Sequence, residues 1–319
     1  MKILVFGLGA LGTVFATCLK SQGHNVFGFT KEKYINQLKD KKLKITGLFG
    51  EKEAKLDDIF TNTEQIKNKD IDLIIVSVKA YDTQTAINQI KPIIGENTLI
   101  LLAQNGYGNY EIATSILGKE KVMLSRVIFG AKITEIGTAE VTVFADDIVI
   151  GQPDMAIPEE RLNEIAKIFN ESGLPTRVSQ NVYAILWDKI LYNSALNPLG
   201  AILECSYGTL AEHQETRNIM NKIIEEIFQV AKLRGIKLNW KDYKEYLEYF
   251  YEKLVPPTAK HFPSMYYDIK QGKKTEIDAL NGAIVKIAKE INLQTQVNET
   301  ITNLIKIKEK LSLTQKFNK

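Results

Sequence analysis

The 319-residue sequence predicts an α/β chain in two parts: a parallel-sheet domain over residues 1–179, then an all-helical domain over residues 180–319. Three observations carry this. Short, nearly continuous apolar runs alternate with helical periods through the first half, the pattern of a parallel sheet covered on both faces. From Asn181 onward the helical period dominates and strand signals almost vanish. The length itself fits two domains of about 100–200 residues each.

Residues 2–7 read as a buried strand and 10–21 as the helix that follows it. Residues 25–29 form a second strand and 31–39 a short helix. Residues 43–56 hold two strand-like pieces around Gly47 and Gly50, the pattern of a hairpin. The runs 72–78 and 98–103 are strongly apolar strands, with helices at 80–90 and 109–117. Residues 122–150, rich in Val, Ile, Thr and Phe, read as further strands, partly antiparallel. A helix at 159–170 and a strand at 176–179 complete this half. In the second half, helical segments fall near 181–196, 212–234, 240–253, 275–291 and 295–311. The polar tail at 313–319 is expected to fray.

Composition excludes several classes. Hydrophobic residues make up 45% and charged residues 25%, which argues for a globular chain and against wholesale disorder. The net charge is +3, from 41 basic and 38 acidic residues interleaved along the chain, so no basic stripe for nucleic acid stands out. No apolar run reaches the ~18 residues of an ordinary transmembrane helix. The opening run, residues 3–6, is too short for the apolar region of a signal peptide and is soon broken by Gly7, Gly9 and Gly12. Cys18 and Cys205 are far apart, and His24, His213 and His261 are scattered, so no metal-ligand spacing exists. The cytoplasm is the expected compartment.

Gly7-Leu8-Gly9-Ala10-Leu11-Gly12 matches G-x-G-x-x-G, directly after a strand and at the opening of a helix. The first glycine permits the tight turn, the second lets a pyrophosphate approach the backbone, and the third lets helix and strand pack closely. This reading makes the first domain a Rossmann-type dinucleotide-binding domain. The bland alternative is a structural glycine turn. NAD-selective sites usually carry Asp or Glu ~20 residues further on, at the end of the second strand. Here that region reads Phe29-Thr30-Lys31-Glu32-Lys33, with a hydroxyl and an ammonium in place of the carboxylate, which suits a 2′-phosphate and hence NADP(H). A one-residue shift would restore an acid at Glu32, and Lys31 and Lys33 also read as solvated residues at a helix start. Lys79 and Asn105-Gly106 follow apolar strands at carboxyl ends, where open α/β sheets bind ligands; each also reads as ordinary surface.

The segment from Ile185 to Asn197 is the most informative. Lys189, Asn193 and Asn197, at i, i+4 and i+8, form one helical stripe, and Ile185, Leu186, Ile190 and Leu196 fall on and beside the same arc. An ammonium and two amides on an apolar side cost several kcal/mol unless something polar meets them. A substrate could do so, and so could an internal hydrogen-bond network. Pro198 is expected to stop this helix. Downstream, Ser264 reads locally as a cap and Glu276 as a first-turn acid of an amphipathic helix over 276–288.

With these motifs in order, the chain resembles the 2-dehydropantoate 2-reductase (ketopantoate reductase) family, over residues 1 to about 311. The resemblance rests on the glycine turn, VKAYD around Lys79, QNGYG around Asn105, LWDKILYNSALNPL around Lys189, PSM at Ser264 and KTEIDALNG around Glu276. It implies a Rossmann-type domain followed by a helical domain, with the active site between them. Gly7 to Gly12 would bind the NADPH pyrophosphate and Lys31 its 2′-phosphate. Lys79 and Asn105 would line the cofactor and substrate cleft, and Ala131 would contact the nicotinamide end. Lys189 would be the general acid, with Asn193, Asn197 and Ser264 holding substrate. Glu276 would contact cofactor or substrate and orient the site. The chain departs from the family at Lys31, often Arg; at Tyr207, where some members carry Asn; and at Tyr107, often smaller or aliphatic.

The implied reaction is NADPH-dependent reduction of 2-dehydropantoate to (R)-pantoate, a step toward pantothenate and coenzyme A. The alternatives are an NADP-dependent reductase of another branched 2-oxo acid and a non-catalytic NADP(H)-sensing protein. The expected partner is a small 2-oxo acid, with no nucleic acid and no membrane, and the chain a monomer or homodimer.

Overall fold

The computed structural model of the chain describes residues 1–66 and 70–317. It divides into two compact units, Met1–Gln104 with Asn109–Tyr183, and Asn105–Gly108 with Ala184–Lys319.

The first unit runs β1 (Lys2–Phe6), α1 (Ala10–Ser21), β2 (Asn25–Phe29), α2 (Glu32–Ile35), β3 (Lys42–Gly47), β4 (Lys52–Lys55), β5 (Asp58–Phe60), β6 (Leu73–Val76), α3 (Thr83–Ile90), β7 (Leu99–Leu102), α4 (Asn109–Leu117), β8 (Val122–Arg126), β9 (Phe129–Glu135), β10 (Thr138–Phe144), β11 (Ile148–Gly151), α5 (Glu159–Glu171) and β12 (Thr176–Val178). An eight-stranded sheet has the order β12-β11-β8-β7-β6-β1-β2-β5. It is parallel from β5 to β8, and β11 joins β8 antiparallel. Every residue of β6 and β7 is buried, as the unbroken apolar runs require of central parallel strands.

A second, four-stranded sheet, β4-β3-β10-β9, was not foreseen. The 43–56 hairpin is there as expected, but β9 and β10 leave the large sheet to pair beside β3. Helix α1 touches β1 and β2 of one sheet and β3, β4, β9 and β10 of the other. Gly12 to Leu19 is accordingly buried without a break, the condition of a helix covered on all sides.

The second unit holds most of α6 (Val182–Leu203), then α7 (Tyr207–Glu212), α8 (Gln214–Leu233), α9 (Tyr243–Tyr249), α10 (Ser264–Lys270), α11 (Asn281–Glu290) and α12 (Gln296–Phe317). No strand occurs in it among the described residues. Two expectations are corrected here. Pro198 does not stop α6, which continues to Leu203. Proline lacks the N–H that would bond the carbonyl four residues back. That carbonyl belongs to Ser194, and the Asn281 side chain supplies the donor instead, Nδ2 to O at 3.1 Å. Nor does Glu276 open a continuous helix: a single 3-10 turn, Ile277–Ala279, comes first, Leu280 breaks the line at φ −108°, ψ −110°, and α11 starts at Asn281.

The buried Glu226 carboxylate on α8 accepts from the backbone N–H of Val297 and Asn298, both at 3.0 Å, and from Asn298 Nδ2 at 2.7 Å. A carboxylate at the positive end of α12 satisfies orphan donors and the helix dipole together. Asn298 Oδ1 in turn accepts from Asn281 Nδ2 at 3.0 Å, so α6, α8, α11 and α12 share one polar junction. The tail expected to fray is helical as far as Phe317, and residues 318–319 lie outside the described residues. No helix among the described residues is long and apolar enough to cross a membrane.

Candidate active site

In the first unit, the chain leaves β1 at Gly7 with φ +111°, a conformation that favours glycine. Gly7 N donates to Phe29 O at 3.0 Å, and its own carbonyl accepts from Ser77 Oγ at 2.7 Å. A Cβ on Gly12 would lie 1.9 Å from Gly7 O, so α1 packs directly on the turn. Gly9 is the opposite case: it is exposed, and a Cβ there would meet nothing within 4 Å. As N-cap of α1 it offers no side chain to the helix start, and the first turn carries no acid. The N–H groups of Ala10, Leu11 and Gly12, orphaned at any helix start, are left with the dipole behind them. Leu8 and Leu11 pack against the core and anchor the turn. This open, donor-rich cradle fits the pyrophosphate of a dinucleotide.

The end of β2 carries no carboxylate. Thr30 is buried, its N–H bonded to Phe60 O at 2.9 Å, and Lys31 is the N-cap of α2. The Lys31 ammonium reaches Asp82 Oδ2 at 3.0 Å. Lys79 precedes the single turn Ala80–Asp82, and its carbonyl accepts from Asp82 N at 2.8 Å. Ala131 sits in β9 opposite Val141, partly buried against the core.

In the second unit, three motifs that are remote in sequence meet. Lys189 Nζ donates to Asn105 Oδ1 at 2.6 Å, and Asn105 Nδ2 donates to Glu276 Oε2 at 3.3 Å. The turn carrying Asn105 is held by close backbone approach: Gly106 has φ +86°, and a Cβ there would lie 2.4 Å from Ala279 O. Tyr107 N donates to that same oxygen at 2.8 Å, and the Tyr107 ring lies 5.4 Å from the Trp187 ring. One step before the lysine, Asp188 accepts from Trp240 Nε1 at 2.9 Å and Asn239 Nδ2 at 2.6 Å, which fixes the rotation of α6.

Asn193 and Asn197 are buried, as the stripe required. The Tyr207 hydroxyl donates to Asn197 Oδ1, which leaves the Nδ2 side of that amide as the donor face. Burial raises the Tyr207 hydroxyl well above its ordinary range and pushes Tyr192, bonded to Thr258 Oγ1 at 2.6 Å, up to about 12. Ser264 is exposed at the first residue of α10; the N-cap there is Pro263, whose ring lies against Gly200 of α6. Glu276 is buried beside Asn105 and is not a first-turn acid of α11. Sequence reasoning named Tyr207 only as a departure and missed Asp82 altogether. The D of VKAYD was the only signal for it.

The geometry is that of an ammonium held by an amide, with a carboxylate behind the amide and two further amides along the same helix. Residues 3–154 match the family model described as ketopantoate reductase PanE/ApbA, and residues 181–309 match its C-terminal counterpart. A curated 2-dehydropantoate 2-reductase from Aquifex aeolicus is 48% identical over 313 residues, 98% of each chain. The chain belongs to the ketopantoate reductase family. Among solved structures, a PanE/ApbA family ketopantoate reductase from Ralstonia eutropha JMP134 matches with TM-score 0.86 and 26% identity, over 98% of this chain and 99% of that one. The ternary structure of D-mandelate dehydrogenase with NADH and anilino(oxo)acetate also matches with TM-score 0.86, at 27% identity and the same coverage. A ketopantoate reductase and a D-mandelate dehydrogenase thus share this fold.

Proposed function

We propose that the chain is the NADPH-dependent reductase that converts 2-dehydropantoate to (R)-pantoate in pantothenate and coenzyme A biosynthesis. The observation that carries this reading is the Lys189–Asn105–Glu276 chain of hydrogen bonds, in a sequence 48% identical to a curated 2-dehydropantoate 2-reductase. Residues 1–179 hold the cofactor and residues 180–319 carry most of the catalytic side chains. The enzyme works in the cytoplasm on a small 2-oxo acid, without nucleic acid, as a monomer or homodimer.

NADPH, when bound, supplies the hydride. As the substrate C2 carbon is reduced, its oxygen becomes an alkoxide, and the Lys189 ammonium stabilises that charge and then donates the proton. Asn105 holds Nζ in place through Oδ1, and Glu276 holds Asn105 in the orientation that offers that oxygen. Asn193 and Asn197 position the polar groups of the substrate, with Tyr207 locking the Asn197 amide donor-side out. Ser264 gives a hydroxyl to the substrate carboxylate. The N–H groups of Gly7 to Gly12 hold the pyrophosphate, Lys31 the 2′-phosphate, and Lys79 lines the cofactor site.

Purified protein mixed with NADPH and 2-dehydropantoate should consume NADPH, with (R)-pantoate as the product by chiral chromatography. A higher kcat/KM with another branched 2-oxo acid, or with an aryl 2-oxo acid, would replace the substrate. Cofactor binding without oxidation by any 2-oxo acid would leave a sensor.

A further inference from the structure

Lys31 does not stand alone in solvent. Asp82 Oδ2 lies 3.0 Å from its Nζ, with the lysine side chain 64% and the aspartate side chain 34% exposed. The two come from separate segments, Lys31 just after β2 and Asp82 from the turn before α3. The Asp82 backbone is tied down by its bond to Lys79 O. Although Asp82 precedes α3, its carboxylate makes no capping hydrogen bond there. Aspartate in that position ordinarily turns back onto its own helix start. Here the carboxylate is directed at the lysine.

We propose that Asp82 is a cofactor-specificity residue whose carboxylate competes with the 2′-phosphate of NADPH for the Lys31 ammonium. This rests on the reading of Lys31 as the 2′-phosphate ligand. The physical basis is charge. A phosphate arriving at Lys31 must share or displace Asp82, and the carboxylate also repels the phosphate directly. Such groups sit well inside the screening length of about 8 Å at physiological salt. NADH has no 2′-phosphate and meets neither cost. Asp82 therefore narrows the preference for NADPH below what Lys31 alone would give. Glu32, exposed at the first residue of α2, adds like charge near the same helix start but is not the partner of Lys31.

The test uses the full chain and two ligands that differ only in the 2′-phosphate, 2′,5′-ADP and 5′-AMP, with affinities measured by calorimetry. Asp82→Asn should tighten 2′,5′-ADP about two- to fivefold, the modest worth of an exposed ion pair, and leave 5′-AMP unchanged. Part of that gain, the share that acts through the lysine, should vanish in the Lys31→Ala background, and the share from direct repulsion should remain. If Lys31→Ala weakens 2′,5′-ADP but Asp82→Asn leaves it unchanged or weaker, the competition is wrong and Asp82 is a bystander or orients the lysine productively. If Lys31→Ala leaves the ratio of the two affinities unchanged, the reading of Lys31 itself fails, and the role of Asp82 with it.

Discussion

Lys189 and Asn105 stand 84 positions apart in the chain and meet through a hydrogen bond of 2.6 Å from ammonium to amide oxygen. The other end of the same amide donates to Glu276 Oε2 at 3.3 Å. Flipping this amide would set N–H groups against the ammonium and an oxygen against the carboxylate. The carboxylate therefore fixes the acceptor that holds the lysine. Asn105→Ala removes that acceptor. One hydrogen bond to a charged group is worth about 1.5–3 kcal/mol, so kcat for 2-oxo acid reduction should fall about ten- to a hundredfold. Glu276→Gln keeps an acceptor for Asn105 and should cost less kcat than Glu276→Ala. Steady-state kinetics on the three variants checks this, and equal loss in the two Glu276 variants would refute the orienting role.

The glycine turn predicts a split between stability and binding. Gly9 has φ −78°, which any residue adopts, and open space where its Cβ would go. Gly9→Ala should keep the wild-type melting temperature while NADPH binding weakens markedly, because the added methyl stands over the anion cradle. Gly12→Ala places a Cβ 1.9 Å from Gly7 O and should lower the melting temperature by several degrees; overpacking of this kind costs about 1–3 kcal/mol. Calorimetric melting together with NADPH titration separates the two effects.

High pH should destabilise the helical unit. An unfolded tyrosine loses its proton near pH 10, whereas buried Tyr192 holds its proton up to about 12. Between these values the unfolded chain binds fewer protons than the folded one, so stability falls as pH rises. Tyr207 and Tyr246, buried and raised well above the ordinary range, act in the same direction. The melting temperature should decline from about pH 10 upward, with a shallower decline in Tyr192→Phe. A slope identical in that variant would remove Tyr192 from the explanation.

What could be read in the sequence was local. The turn from Gly7 to Gly12 and helix α1 are fixed by neighbours in the chain, and the stripe of Lys189, Asn193 and Asn197 follows from helical arithmetic alone. What failed depended on distant partners. Pro198 looked like a stop because the donor that replaces its missing N–H is Asn281, 87 positions from the Ser194 carbonyl it serves. The strands β9 and β10 were legible as strands, but not their pairing beside β3, since pairing is chosen by the faces that α1 must cover. Glu276 looked like a first-turn acid because the sequence signal beside the break at Leu280, Asn281-Gly282, itself sits in the first turn of α11 and within the helical period of 276–288. The family resemblance implied only that Glu276 contacts cofactor or substrate and orients the site; its meeting with Asn105 and Lys189 spans three segments.

The proton-donor role of Lys189 is tested most directly by the Lys189→Ala variant, measured with saturating NADPH and 2-dehydropantoate. Loss of a general acid typically costs ~10²–10⁴-fold in kcat, and a fall of that size is expected while the dissociation constant for NADPH hardly moves. A variant that kept most of the wild-type kcat would contradict the mechanism and leave Lys189 a structural member of a buried hydrogen-bond network.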